Sequence, residues 1–596
     1  MLFPRESETR EVKDLSGLWA FKVDWDGDGA ARQWPHRPLS DTRPMPVPAS
    51  YNDLTQDAAV RDHVGTVWYE RRFFVPAAWQ GRRIALRVGA AAHRAVVWVN
   101  GRPVAEHKGG FLPFEADISE VVELGQENRV TLSVNNVLDW TTLPTGQVLE
   151  SRDEWHPAGF KVQGQEFDFF NYSGLHRPVR LVVTPRIHVS DVRVVTDIRG
   201  TDGLVDYTVE VAGGAAAAGV RLLDAEGREV AAAAGAQGRL AVANARLWEP
   251  GNAYLYTLEI TLADAGGERL DVYRLPVGIR TVRVTDKAFL INGKPFYFRG
   301  FGKHEDSDLR GKGLDHAVNV KDFNLMAWMG ANSFRTSHYP YSEELMDLAD
   351  RQGLVVIDEV PAVGMSYFAD VQKVFIPERI NGKTLAHHLE TLRELVRRDK
   401  NHPCVVMWSV ANEARTDEEG AVPYFKRVAE EARALDATRP ITIVGCLNPG
   451  DCRVADFFDV ICVNRYFSWY SDSGHLELVE RQVEHDLRRR YELHRKPVLV
   501  TEFGADAVAG LHQHPPLMFS EEYQAEFLAA FGRAFDRLDF LIGEHVWCFA
   551  DFATGQNITR VIGNKKGVFT RQRQPKAAAF TLRERWLKAG NVKREA

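Results

Sequence analysis

Hydrophobic and polar positions change rhythm twice along the chain. Up to about residue 185, short apolar runs alternate with turn residues, the pattern of a jelly-roll β-sandwich. Residues 84–88 form one such run, and residues 96–99 form another that leads into Asn100-Gly101, a strong hairpin signal. Residues 129–134 alternate polar and apolar, as a half-buried strand does. A second β-rich block covers 186–277, with strands predicted at 191–197, 205–211 and 254–261; its size is that of an immunoglobulin-like sandwich. The alanine runs 215–218 and 231–234 read as loop or weak strand.

From residue 278 to 596 the period changes again. Apolar, β-prone runs at 296–300, 333–336, 355–358, 405–410, 441–444, 460–463, 498–501 and 545–547 alternate with helically spaced segments such as 342–351, 384–398, 424–435 and 521–538. Eight strands over about 310 residues predict a C-terminal (β/α)8 TIM barrel, and a chain of 596 residues is too long for one core, so the fold is multidomain.

Barrel chemistry sits where strands end. The run at 405–410 passes into Asn412-Glu413, so Glu413 is either a reactive carboxylate or a helix cap. The other predicted strands end at Ser337-His338-Tyr339, Glu359, Asn464-Arg465-Tyr466, Glu502 and Asp551, with Trp408, Trp469 and Trp547 close in sequence. Carboxylates, amides and aromatic rings on one face suit a sugar, whose C–H faces pack on rings while its hydroxyls bind polar groups. A retaining glycosidase needs one carboxylic acid to protonate the leaving oxygen and one carboxylate to attack, about 5 to 5.5 Å apart. Glu413 and Glu502 are the favoured pair, with Glu359 as a rival; Glu544 precedes the apolar part of the last strand and is expected to face the opposite end. Asp168, in the aromatic stretch 168–174, reads either as a sandwich edge or as a loop reaching a ligand.

Composition narrows the field. A net charge of −7 on this length implies neither nucleic acid nor an anionic membrane as partner. Five cysteines, an odd number, fit free thiols in a reducing compartment, and the charged amino terminus without a signal core points to the cytoplasm. Phosphate-loop, His-Glu-x-x-His, Cys-x-x-Cys and Gly-x-Ser-x-Gly motifs are missing. His304-Glu305-Asp306 reads as a bend above the first strand rather than a metal site, so neither a metal nor an organic cofactor is expected.

Asp399-Lys400-Asn401-His402-Pro403, followed by Trp408-Ser409 and Asn412-Glu413, resembles the acid/base signature of glycoside hydrolase family 2. Asn332-x-x-Arg335-x-x-His338-Tyr339-Pro340 is similar to that family's second signature, while Gly109-Gly110-Phe111-x-Pro113-Phe114 and Leu247-Trp248-x-Pro250 match features of its two β domains. Gly563-Asn564-Lys565-Lys566-Gly567 resembles the Asn-x-Lys element with which glucuronide-cleaving members bind the uronate carboxylate. A buried uronate needs such a cation, since a neutral-sugar site would leave its charge unpaired.

The resemblance implies a retaining exo-acting hydrolase of small β-glucuronides, with Glu413 as acid/base and Glu502 as nucleophile. It makes Asn412 a ligand of the sugar 2-hydroxyl and Tyr466 a hydrogen-bond partner of the nucleophile. Asp168, His338, Asn464, Tyr470, Trp547 and Arg560 would line the glycone pocket, with Asn564 and Lys566 on the uronate. A homo-oligomer, a tetramer in the family, is also implied. Segment 365–381 looks shorter than the site-covering loop of some relatives. Alternatives are a β-galacturonidase, a neutral β-galactosidase-like hydrolase, or a sugar-binding scaffold without catalysis.

Overall fold

The computed structural model describes residues 1–592 apart from 152, 158 and 367–372; part of the segment 365–381 therefore lies outside the described residues. The first domain is a sandwich of a six-stranded and a four-stranded antiparallel sheet. Its hairpin Arg94–Val99 and Arg102–Lys108 turns at Asn100 (φ +50°) and Gly101 (φ +79°), the two left-handed positions a tight hairpin requires. The second domain packs a three-stranded sheet against a four-stranded one. The alanine-rich run 231–234 belongs to its strand Glu229–Ala234, paired with Ala217–Leu223.

The C-terminal region is a closed barrel of eight parallel strands. These are β1 (Phe298–Gly302), β2 (Ser333–Arg335), β3 (Val355–Glu359), β4 (Val405–Asn412), β5 (Ile441–Gly445), β6 (Val460–Asn464), β7 (Val498–Glu502) and β8 (Leu541–Trp547). The first and last strands start away from the expected positions. Lys294–Phe296 pairs with Phe289–Ile291 in a small hairpin, so β1 begins only at Phe298. β8 starts four residues early, because Leu541, Ile542 and Gly543 continue the buried run. Helices follow most strands, but β5 and β6 are joined with only a short 3-10 turn at Ala455–Phe457.

The domains share buried contacts that fix the barrel's two ends. Phe111 of the first sandwich stacks on Tyr339 beyond β2, with centroids 4.6 Å apart and planes 11° off parallel. At the opposite end Trp248, fully buried, donates to the Asp350 carbonyl at 2.8 Å. The 399–403 run lies there too: Lys400 binds both oxygens of Asp191 at 2.8 Å, and Asn401 bonds the backbone of Val192 and Val194. Lys400 and Asn401 thus dock the second sandwich, and the candidate site lies at the other end of β4. No helix among the described residues is long and apolar enough to cross a membrane.

Candidate active site

β4 is buried over all eight residues and ends in a left-handed Glu413 (φ +53°). A non-glycine residue held there is strained, and such strain concentrates at functional positions. The turn releases Glu413 from the strand's alternation and presents its carboxylate to Asn464 at the end of β6, whose Nδ2 donates to Oε1 at 2.8 Å. The same amide nitrogen lies 3.2 Å from Asn412 Oδ1, and Thr501 donates to Asn464 Oδ1 at 2.9 Å. These bonds settle both Asn464 amide atoms and leave Glu413 a single neutral side-chain donor among the described residues.

Glu502, at the end of β7, receives more. Tyr466 donates to Oε2 at 2.7 Å, and Arg335 Nη2 donates to Oε1 in a close ion pair. Arg335 is completely buried, and its Nη1 lies 2.8 Å from each oxygen of Glu359. His338 Nδ1 approaches Glu359 at 2.9 Å, and its ring stacks on Trp547 at 5.0 Å. Burial pushes the His338 imidazole down to about 4, so it is neutral at ordinary pH.

Burial raises both Glu413 and Glu502, and the charge of Glu413 adds to the rise at Glu502, while Arg335 and Tyr466 oppose it. The two carboxylates thus sit in different surroundings, Glu413 against a neutral amide and Glu502 against a tyrosine and an arginine, the contrast that separates an acid/base from a nucleophile. Glu359 behaves differently: burial alone would raise it, but Arg335, His338 and Ser409 (2.6 Å) hold it below the usual carboxylate range. Saturated with donors and wholly buried, it fixes Arg335 and is not a competing reactive group.

A second cluster adjoins the first through Tyr466, whose ring meets that of Tyr470 at 5.1 Å. Lys566 Nζ is 3.0 Å from the Tyr470 hydroxyl and 4.9 Å from the Trp469 ring centre. Arg560 donates to Tyr470 at 2.9 Å and to Asp168 at 2.8 Å. Asn564 Nδ2 donates to the other Asp168 oxygen at 2.6 Å, while its Oδ1 accepts the Lys566 N–H at 2.8 Å. Asp168 gets there because Phe169 bridges to Thr554 and Phe170 N–H bonds the Ala553 carbonyl, which lays that stretch of the sandwich along the loop after β8.

The candidate residues thus gather in two joined clusters, but some neighbours fall elsewhere. Trp408 faces outward: strand alternation puts Ser409 inside, and the Trp408 N–H donates to Asp436 at 3.0 Å under Arg439. Asp551 is held by Lys576 at 2.8 Å. Glu544 lies inside β8 rather than before it and is turned to Arg585 (2.9 Å) and Trp586 (2.6 Å) of the last helix. His304 bonds Tyr339, Glu305 pairs with Arg177 and Asp306 with Arg571, so these three side chains diverge.

Arg335 enters the sequence reading only as part of a motif, and Asp506, which pairs with Lys566, does not enter it at all. A lone arginine in an apolar barrel strand is a signal for the first, since a buried cation needs partners.

With this geometry in place, family models match the whole architecture: the glycosyl hydrolases family 2 sugar binding domain over residues 12–185, the middle family 2 domain over 187–280, and the family 2 TIM barrel domain over 282–591. The chain belongs to glycoside hydrolase family 2. It is 61% identical over 590 residues to a β-glucuronidase of Paenibacillus borealis, covering 99% of each chain. Among solved structures it resembles a Dictyoglomus thermophilum β-D-glucuronidase (TM-score 0.95, 56% identity, 99% of both chains). It also resembles a Ruminococcus gnavus β-glucuronidase in complex with D-glucuronic acid (TM-score 0.92, 43% identity, 98% of this chain and 99% of that one). Family 2 enzymes are glycosidases, and the two clusters described above stand at the mouth of the family's catalytic barrel.

Proposed function

We propose that this enzyme hydrolyses β-D-glucuronides from the non-reducing end with retention of configuration. The observation that carries this reading is the position of the Lys566, Arg560 and Asn564 cluster, one tyrosine pair away from the two catalytic carboxylates. A pyranose has its anomeric carbon and its carboxyl-bearing carbon on either side of the ring oxygen. A uronate seated on Lys566 and Asn564 would therefore present its anomeric carbon to Glu502.

Glu413 gives its proton to the glycosidic oxygen as Glu502 attacks the anomeric carbon, so the aglycone leaves and a covalent glycosyl-enzyme forms. Glu413, now ionised, takes a proton from water; the water oxygen attacks the same carbon and expels Glu502. Two inversions give net retention. Tyr466 and Arg335 stabilise the charge on Glu502 before attack and after its release. Asn412 accepts from Arg335 (3.4 Å) and Asn464 through Oδ1, which leaves its amide N–H groups for the sugar 2-hydroxyl.

The family resemblance supports a homotetramer, which light scattering tests, and five free cysteines support work in the reducing cytoplasm. The reaction itself is tested with nitrophenyl β-glucuronide, β-galacturonide and β-galactoside, together with NMR of the first-formed anomer. Preference for the glucuronide and release of β-glucuronate are expected; release of the α-anomer would refute retention.

A further inference from the structure

The ammonium assigned to the uronate is not a bare charge. Lys566, 1% exposed, forms a close ion pair with Asp506, and Arg560 lies 3.9 Å from the same carboxylate while donating to Asp168. Two cations therefore face two carboxylates before any sugar enters.

Asp506 is only 2% exposed and stands four residues beyond Glu502. Its Oδ1 accepts the Lys565 N–H at 2.8 Å, and its Oδ2 holds the Lys566 ammonium. The negative charge is not what ties these two loops together. Ala507 N–H bonds the Lys565 carbonyl at 3.0 Å, and Lys576 bridges the carbonyls of Ala507 (2.8 Å) and Lys565 (2.9 Å). Gln524, fully buried, joins the carbonyls of Ala505, Lys566 and Gly567. These anchors do not depend on the charge at 506, and that charge bears directly on the ammonium of Lys566.

We propose that Asp506 is a specificity-determining residue whose carboxylate competes with the uronate of the substrate for Lys566. This rests on the glucuronidase reading above. An ammonium has three donors. Among the described residues Asp506 and Tyr470 take two, and the third would go to the sugar. A bound uronate then shares one ammonium with a second buried carboxylate, and their repulsion at low dielectric loosens it. Glucuronides remain preferred because a neutral sugar leaves that donor unused, yet the glucuronate product is not held fast.

Asp506→Asn keeps the oxygen that accepts from Lys565 and removes the charge. Its Ki for free glucuronate and its KM for nitrophenyl glucuronide should each fall roughly ten-fold, and discrimination against the nitrophenyl glucoside should rise by a similar factor. An unchanged or higher Ki would overturn the proposal. Since D506N leaves a buried lysine without its counter-ion, which can prevent folding, K566Q and D506N/K566Q are compared as well. Without the ammonium, Asp506 repels the uronate directly, so the double variant should regain about ten-fold of the glucuronide kcat/KM lost in K566Q. No recovery would also overturn it. Failure of the wild-type enzyme to cleave glucuronides would refute the glucuronidase reading itself, whereas normal wild-type turnover with an unmoved Ki in D506N refutes only the role of Asp506.

Discussion

Arg335 joins Glu502 across the barrel, donating from the end of β2 to the carboxylate at the end of β7, while its other terminal nitrogen spans Glu359. One buried guanidinium is thus shared between two carboxylates: Glu359 fixes it, and it in turn fixes Glu502, which we propose as the nucleophile.

Replacing Arg335 should therefore cost activity and shift its pH dependence. Arg335 lowers Glu502 against the rise that burial imposes, so its removal lets Glu502 hold its proton to higher pH. The ionised fraction at a given pH falls, and the acid limb of kcat/KM in Arg335→Gln should move upward, with a loss of at least about 100-fold at neutral pH. Thermal unfolding of the same variant should show a loss of about 3 to 5 kcal/mol, as two buried carboxylates lose their partner. A pH profile unchanged in shape would refute the coupling.

Glu502→Ala should abolish turnover while glucuronate binding remains measurable by calorimetry. Wild-type-like rates in this variant would end the nucleophile assignment.

Glu413→Gln should lose most turnover of poor leaving groups but still form the glycosyl-enzyme from an activated dinitrophenyl glucuronide, since that departure needs no proton. The check is a burst of dinitrophenolate followed by slow hydrolysis; equal losses on both substrates would argue against an acid/base role.

Lys566→Ala should cost glucuronide recognition roughly 2 to 5 kcal/mol, because a desolvated uronate would lack its cation. An equal loss for a neutral glycoside would show a structural effect instead.

His402 ties stability to pH at the other end of the barrel. Burial would lower His402, but the Asp350 carboxylate 2.5 Å away outweighs it and raises the imidazole to about 9. A raised folded-state value means stabilisation that is complete below the unfolded value of about 6.5 and is lost as pH climbs through about 9. The contribution is on the order of 3 kcal/mol at its fullest. Urea unfolding should show wild type more stable than His402→Gln at pH 6, with the gap closing by pH 10; a pH-independent gap would contradict the charge on His402.

Much of this site is legible in sequence because a barrel delivers the residue that ends each strand to one face. That rule alone marks out Glu413, Asn464 and Glu502, together with Glu359 and Asp551, whereas Lys566 and Arg560 come only through the resemblance of their loop. Trp408 was misplaced because proximity in sequence ignores strand alternation, which turns it to the helices while Ser409 faces in. β1 and β8 were mis-bounded where a hairpin and a glycine interrupted the apolar pattern. Asp506 was invisible: nothing in Gly504-Ala505-Asp506 announces a counter-ion for a lysine sixty residues on, since only the closing of β7 against the loop after β8 brings them together. That loop contact is tertiary information, which local pattern does not carry.

The most direct test of uronate recognition by Lys566 next to the Glu413 and Glu502 pair is kcat/KM of the wild-type enzyme for nitrophenyl β-glucuronide against the matching β-galactoside. The glucuronide should be preferred by at least about 100-fold, the factor that one buried charge-assisted contact supplies. Galactoside turnover equal to or above that of the glucuronide would remove the uronate from the site and leave the cationic cluster without its role.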